Sequence, residues 1–239
     1  ATGRTWWQVP PVARVELTGK LRGGVTGKDV IITLAGFFNK DEVLNHAVEF
    51  AGDGVAGLSI NDRLAIANMT TEWGALAGVF PVDSVTFDWL EQRASTVARR
   101  GLAGVPSDVD GQGRHHRMSS DRISLLRQSV PAADANAVYA NYLTLDLATV
   151  SPHVSGPDSV KKMTSVAEIE KLKIRIHKAY LLSCVNARFD DLKAAAQVVR
   201  GKRVADAVEF YVAAASSEVQ SASEQSGDWK ALLDAGAKP

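Results

Sequence analysis

The chain has 239 residues, 46% hydrophobic and 23% charged, and its 27 lysines and arginines balance 27 aspartates and glutamates. That length suits one large domain or two small ones, and the neutral total points to neither a nucleic-acid nor a membrane partner. No apolar run approaches the about 18 residues that a membrane span needs, and the single cysteine excludes an internal disulfide, in keeping with a reducing compartment.

The N-terminal ATGRTWWQVPPV has neither the apolar core of a secretory signal nor an initiator methionine and reads as a cut or processed end. Val12 to Leu21, VARVELTGKL, alternates apolar and polar residues and predicts a strand. Thr26-Gly-Lys-Asp29 has capping-box spacing before the apolar run Val30 to Phe38 and predicts a helix. GGVTGKD is only superficially like a phosphate loop, because its glycines are misspaced and Asp29 stands where Ser or Thr should hold magnesium. Ala47 to Ala51 is a short strand. Ser59-Ile-Asn-Asp62 is a second capping box, opening a helix expected to end at Gly78. VFPVD then reads as a short strand or turn, and SVTFDWLEQRASTVARR as another helix.

The stretch from Gly101 to Asp121 is rich in Gly, Ser, Asp and Pro and reads as a linker or mobile loop, extended to 135 as a flexible loop or insertion. His115 and His116 are adjacent, so regular backbone would point them apart rather than converge them on a metal. Beyond it, YLTLDLATV is a strand, Ser165 to Glu168 caps a short helix, and KAYLLS is a strand running to Cys184. ARFDDLKAAAQVV is a helix closed by Gly201, with acids early and Arg200, Lys202 and Arg203 late, as the helix dipole prefers. VEFYVAAA is a strand, and SEVQSASEQSGDWKALLDAG a helix broken near Gly227 and capped at Gly236, just before the chain stops. Strands alternating with helices predict α/β layering.

Two groups of residues are candidates for chemistry. A lone cysteine is more often buried filler than reagent. Cys184, however, is expected between a strand end and a helix start, where ligands gather in open α/β sheets and backbone N–H groups favour a thiolate. It is therefore a candidate nucleophile or metal ligand, with packing as the alternative. Asn68 and Glu72, four apart, share one helix face, and Met69 and Trp73 share the next. One face would pack while the other offers an amide and a carboxylate, or simply a solvated polar stripe.

Four ordered segments resemble the aconitase superfamily. ANMTTEWGALAGVFPVD resembles its N-M-x-x-E-x-G-A segment, and LLSCVNARFDDLKAAAQVVRGKRVA its G-S-C-T-N segment with the R-x-x-D-L-x-x-A-A helix behind it. LTLDLATVSPHVSGP looks like its L-x-x-L-x-P-H-x-x-G-P strand and turn, and VELTGKLRGGVTGKDVI like its V-x-L-x-G-x-L-x-x-G-V-x-x-K-D strand and helix. TWWQVPPV and FFNKDEVLNHAVEF look most like the homoaconitase branch, as found in fungi.

The resemblance implies aconitase-like three-layer α/β domains with mixed sheets: one complete domain over 1–100, the insertion over 101–135, and the front of a second domain over 136–239. It implies a hydro-lyase acting on a small tricarboxylic acid, with a 4Fe-4S cluster, in the mitochondrion. Cys184 would be one of three cysteine ligands. Glu72 and Asn68 would serve in catalysis, and Asn186 and Ser183 would lie around the cluster. The family's glycine and threonine beside the cysteine are replaced here by Leu182 and Val185, and its C-x-x-C pair has no counterpart. The chain thus looks like an internal piece of a larger enzyme, inactive alone, whose other domains are its partners. Isopropylmalate isomerase, aconitase, or a non-catalytic α/β module that has lost the cluster are the alternatives.

Overall fold

The structure, a computed structural model, describes residue 3 and residues 6–100 and 119–239. His115 and His116 lie outside the described residues. The chain divides into two compact units, Ala1–Met163 and Thr164–Pro239.

In the first unit β1 (Val12–Thr18), α1 (Gly27–Phe37), β2 (Ala47–Ala51), α2 (Ile60–Trp73), β3 (Ala77–Val79), α3 (Ser84–Arg100), α4 (Ser120–Gln128), β4 (Asn141–Asp146) and β5 (His153–Ser155) follow in order. Four strands pair in the order β3-β2-β1-β4. Every ladder in that sheet is parallel, with Val15 opposite Phe50 on one side and Leu143 on the other. The alternation seen in the sequence of β1 has a direct cause: Ala13, Val15 and Leu17 are fully buried, while Arg14 and Glu16 face away. The buried side meets α1 and α2 through Val30, Ile31, Leu34, Ile66 and Trp73. Each such large apolar side chain, fully buried, contributes about 1.5–3 kcal/mol.

Both predicted capping boxes form. Asp29 Oδ2 accepts from the Thr26 amide at 2.9 Å, and Asp62 Oδ2 accepts from the Ser59 hydroxyl at 2.6 Å. Arg63, the residue after Asp62, is 3% exposed; its guanidinium meets both carboxylate oxygens of Asp83 at 2.8 and 2.7 Å and the carbonyls of Val55 and Leu58.

Three expectations need correction. Helix α2 stops at Gly74, not Gly78. Gly74 sits at φ 108, a left-handed geometry that suits glycine, and its amide turns back to Thr71 O. Gly78 belongs to β3, where a Cβ would lie 2.9 Å from Ala67 Cα on α2. The second correction concerns the insertion read over 101–135, which contains α4. Ser119 caps it, and Ile123, 2% exposed, packs on Phe87 of α3 while Arg127 lies over the Phe87 ring. Averaging over a Gly- and Ser-rich stretch hid that short amphipathic segment. Third, the border between units falls at 163/164 rather than 100/136. The strand β4 that follows the insertion returns to β1, with Ala13 opposite Asn141 and Thr18 opposite Asp146, and so completes the first sheet.

From the border onward the elements are β6 (Met163–Ser165), α5 (Val166–Ile169), β7 (Lys178–Leu181), α6 (Phe189–Val199), β8 (Glu209–Val212), α7 (Ser217–Gln225), α8 (Asp228–Asp234) and β9 (Ala237–Lys238). β7, β8 and β9 form a parallel sheet whose core is Leu192, Ala196, Val212, Trp229 and Leu232. The predicted break at Gly227 is present, at φ 78, between α7 and α8. The fold class is α/β throughout. Among the described residues no helix is long and apolar enough to cross a membrane.

Candidate functional site

In the first unit, α2 divides its faces as its spacing requires. Trp73 is 1% exposed and its indole N–H donates to Phe38 O at 2.7 Å. Met69, one turn earlier, is half-buried, whereas Asn68 and Glu72 are both exposed. Glu72 Oε2 accepts a 2.7 Å bond from the neighbouring Thr71 hydroxyl, and the Glu72 residue is exposed. The pair therefore offers an amide and a carboxylate one turn apart on a single solvent-facing strip, held by a buried face.

Met69 also borders an open cleft of about 460 Å³, together with Thr26, Asp29, Ile32, His153 and Ser155. Asp29 ties its walls together: one carboxylate oxygen closes the N-terminal turn of α1, and the other accepts from the His153 amide at 3.1 Å. The His153 Nδ1 lies against Ser151 O. The Ser155 hydroxyl is buried without a hydrogen-bond partner among the described residues. In the sequence alone Asp29 is legible only as the cap of a helix. The P-H-x-x-G-P segment was the one signal that pointed to His153, because the adjacency depends on β5 returning to α1.

In the second unit the residues from Leu182 to Arg188 form the connection between β7 and α6. Cys184 is exposed at its bend and carries a free thiol. Ser183 Oγ accepts from the Val185 amide at 3.1 Å, so that hydroxyl shapes the bend. Val185 and Ala187, 5% and 3% exposed, anchor the turn on either side of Asn186. Ala187 has φ 56, and its carbonyl accepts from the Ala215 amide at 2.9 Å. Arg188 Nε donates to Val185 O at 3.1 Å, and the Arg188 amide donates to Asp191 Oδ2 at 3.0 Å. Asn186 Oδ1 is buried and lacks a hydrogen-bond partner among the described residues.

This placement decides one question and corrects another. Cys184 is not packing filler. Nor is it at a helix start, since α6 begins at Phe189 with Arg188 as its cap. The thiol owes its exposure to the bend. Asn186 and Ser183 stand beside Cys184 in that turn, as the sequence arrangement requires; Asn68 and Glu72 belong to the first unit. Among the described residues no three His, Cys, Asp or Glu side chains are grouped to hold a metal ion.

Comparison with known proteins agrees with the residue pattern. The profile of the aconitase family (aconitate hydratase) matches residues 1–239. A mitochondrial homoaconitase of Mycosarcoma maydis is 56% identical over 239 residues, covering 100% of this chain and 32% of that protein. The mitochondrial homoaconitases of Yarrowia lipolytica and Aspergillus fumigatus are 54% and 53% identical, again across 100% of this chain and over 33% and 30% of their own lengths. The chain thus spans about a third of the length of the curated relatives it matches. With all of its residues covered by the family profile, the chain belongs to the aconitase family.

Proposed function

We propose that this chain is a segment of a mitochondrial homoaconitase-like hydro-lyase, the whole of which reversibly hydrates cis-homoaconitate to homoisocitrate in lysine biosynthesis. The observation that carries this reading is the similarity of all 239 residues to fungal proteins of that name, at 50–56% identity. A small tricarboxylic acid is then the substrate, and the remaining domains of the parent are the partners of this segment.

The 4Fe-4S cluster of such an enzyme supplies a Lewis acid toward substrate oxygen atoms. An exposed, free thiol on a fixed bend suits Cys184 as one ligand. The sequence holds no second cysteine, so this chain by itself does not fit a whole cluster, and further thiolates would come from elsewhere in the parent. Ser183 would keep the bend in shape through the Val185 amide, and Asn186 would offer its unpartnered Oδ1 to a donor brought beside Cys184. Glu72 would hold or deliver a proton at its exposed carboxylate, and Asn68 would orient the same group through its amide.

The test is the full-length parent, wild type and Cys184→Ser. The wild type should hydrate cis-homoaconitate. The variant should lose both turnover and the broad visible absorption of the cluster while keeping its far-ultraviolet circular dichroism. A wild type that acts on cis-aconitate or isopropylmalate and ignores cis-homoaconitate overturns the substrate. A variant with undiminished cluster absorption overturns the role of Cys184.

A further inference from the structure

The second unit carries a concave basic surface that the reading above does not use. A pocket of about 370 Å³, within the range of small-molecule sites, is lined by Arg200, Lys202 and Arg203 on one side and Lys230 and Asp234 on the other. In a chain of zero net charge this concentration of cations is local. The dipole at the C-terminus of α6 accounts for one nearby cation, not for three in four residues.

The backbone holds these cations in place. After α6, Gly201 adopts φ 72 and the Lys202 amide bonds back to Val199 O at 2.9 Å. The Val204 amide then bonds to Ala235 O at 2.8 Å, fastening the loop to the end of α8. Two of the cations are already engaged. Arg200 pairs at 2.8 Å with Asp228, whose side chain is 8% exposed and also accepts from Ser226 Oγ. Lys230 pairs with Asp234 at 2.6 Å, one turn along α8. Lys202 and Arg203 are exposed and have no ion-pair partner among the described residues. Among the described residues the four cations form ion pairs with Asp228 and Asp234 alone, leaving two positive charges unpaired on a fixed frame.

We infer that this pocket binds a small multivalent anion through Lys202 and Arg203, with Arg200 and Lys230 forming its flanks. The ligand chemistry is clustered phosphate or carboxylate oxygen, which Arg takes through parallel N–H bonds and Lys as a point charge. No bond is made or broken in this step.

The experiment uses the whole 239-residue chain, labelled with nitrogen-15, titrated separately with inorganic phosphate and with citrate at constant ionic strength. Saturable amide shifts confined to residues 200–204 and 227–235 are expected. Saturation by citrate alone identifies a polycarboxylate ligand, and saturation by phosphate an oxyanion of that type. Lys202→Glu with Arg203→Glu should weaken binding by at least about tenfold, and Lys202→Ala with Arg203→Ala by less, the spectra themselves reporting that each variant is folded. Shifts that rise linearly with both anions, or affinity unchanged in both folded double variants, overturn the inference.

Discussion

Asp62 serves two helices at once: its Oδ2 closes the capping box of α2 with Ser59, and its Oδ1 accepts the Gly27 amide of α1 at 2.7 Å. The second bond satisfies an amide of the first turn of α1, which has no partner inside its own helix. One carboxylate therefore fixes how the two helices over the first sheet begin, and α2 is the helix that carries Asn68 and Glu72.

Asp62→Ala removes both services. Loss of a cap and of a half-buried charge-assisted bond should lower the stability of the first unit by roughly 1–3 kcal/mol. Urea unfolding followed by tryptophan fluorescence measures it. A change below about 0.5 kcal/mol, the size of an ordinary surface substitution, would show that the Gly27 contact is not maintained in solution.

The Arg63 guanidinium, hydrogen-bonded to Asp83, holds that carboxyl below the usual carboxylate range. A depressed folded value means that the unfolded chain binds protons more readily. The stabilisation is therefore complete above the unfolded value, about 4, and is lost as pH falls through the folded one. Asp83→Asn leaves the buried arginine uncompensated and should cost roughly 3 kcal/mol at neutral pH, with the gap to wild type narrowing in acid. Parallel stability curves across that window would contradict the pairing.

Gly74→Ala places a Cβ on a residue at φ 108. The nearest atom it meets is Leu44 Cδ1 at 3.4 Å, so the cost is conformational rather than steric. A loss of roughly 1–2 kcal/mol is expected, readable as a lower thermal midpoint. A neutral outcome would mean that α2 ends elsewhere.

Cys184, exposed at its bend, should react with a neutral disulfide reagent in the native chain at a rate within about threefold of that in denaturant. Cys184→Ser should change the stability of the isolated chain by less than about 0.5 kcal/mol. Strong protection of the thiol in the native chain would refute its exposure.

The local devices of this fold were open to reading. T-x-x-D and S-x-x-D announced two helix starts because a cap is made within four residues. The alternation of β1 marked its buried face because side chains in a strand alternate by geometry. The division of α2 into Trp73 and Met69 on one side, Asn68 and Glu72 on the other, followed from helical spacing. The end of α2 is not legible there, because Gly74 and Gly78 look alike in sequence. One turns the chain and the other lets a strand approach Ala67, and only the packed structure distinguishes them.

By itself the sequence determined the α/β class, the capped helices, the single thiol and the family motifs, all of which depend on residue identity and short spacing. Tertiary structure alone decided that β4 returns to β1 across the insertion, that Asp29 meets the His153 backbone, and that Cys184 projects from a bend ahead of α6. It also decided that Lys202 and Arg203 face Lys230 across one pocket. All but the Cys184 bend join residues far apart along the chain. Their free energy comes from strand ladders, buried faces and loop fastenings formed when distant segments meet, and local sequence patterns do not record it.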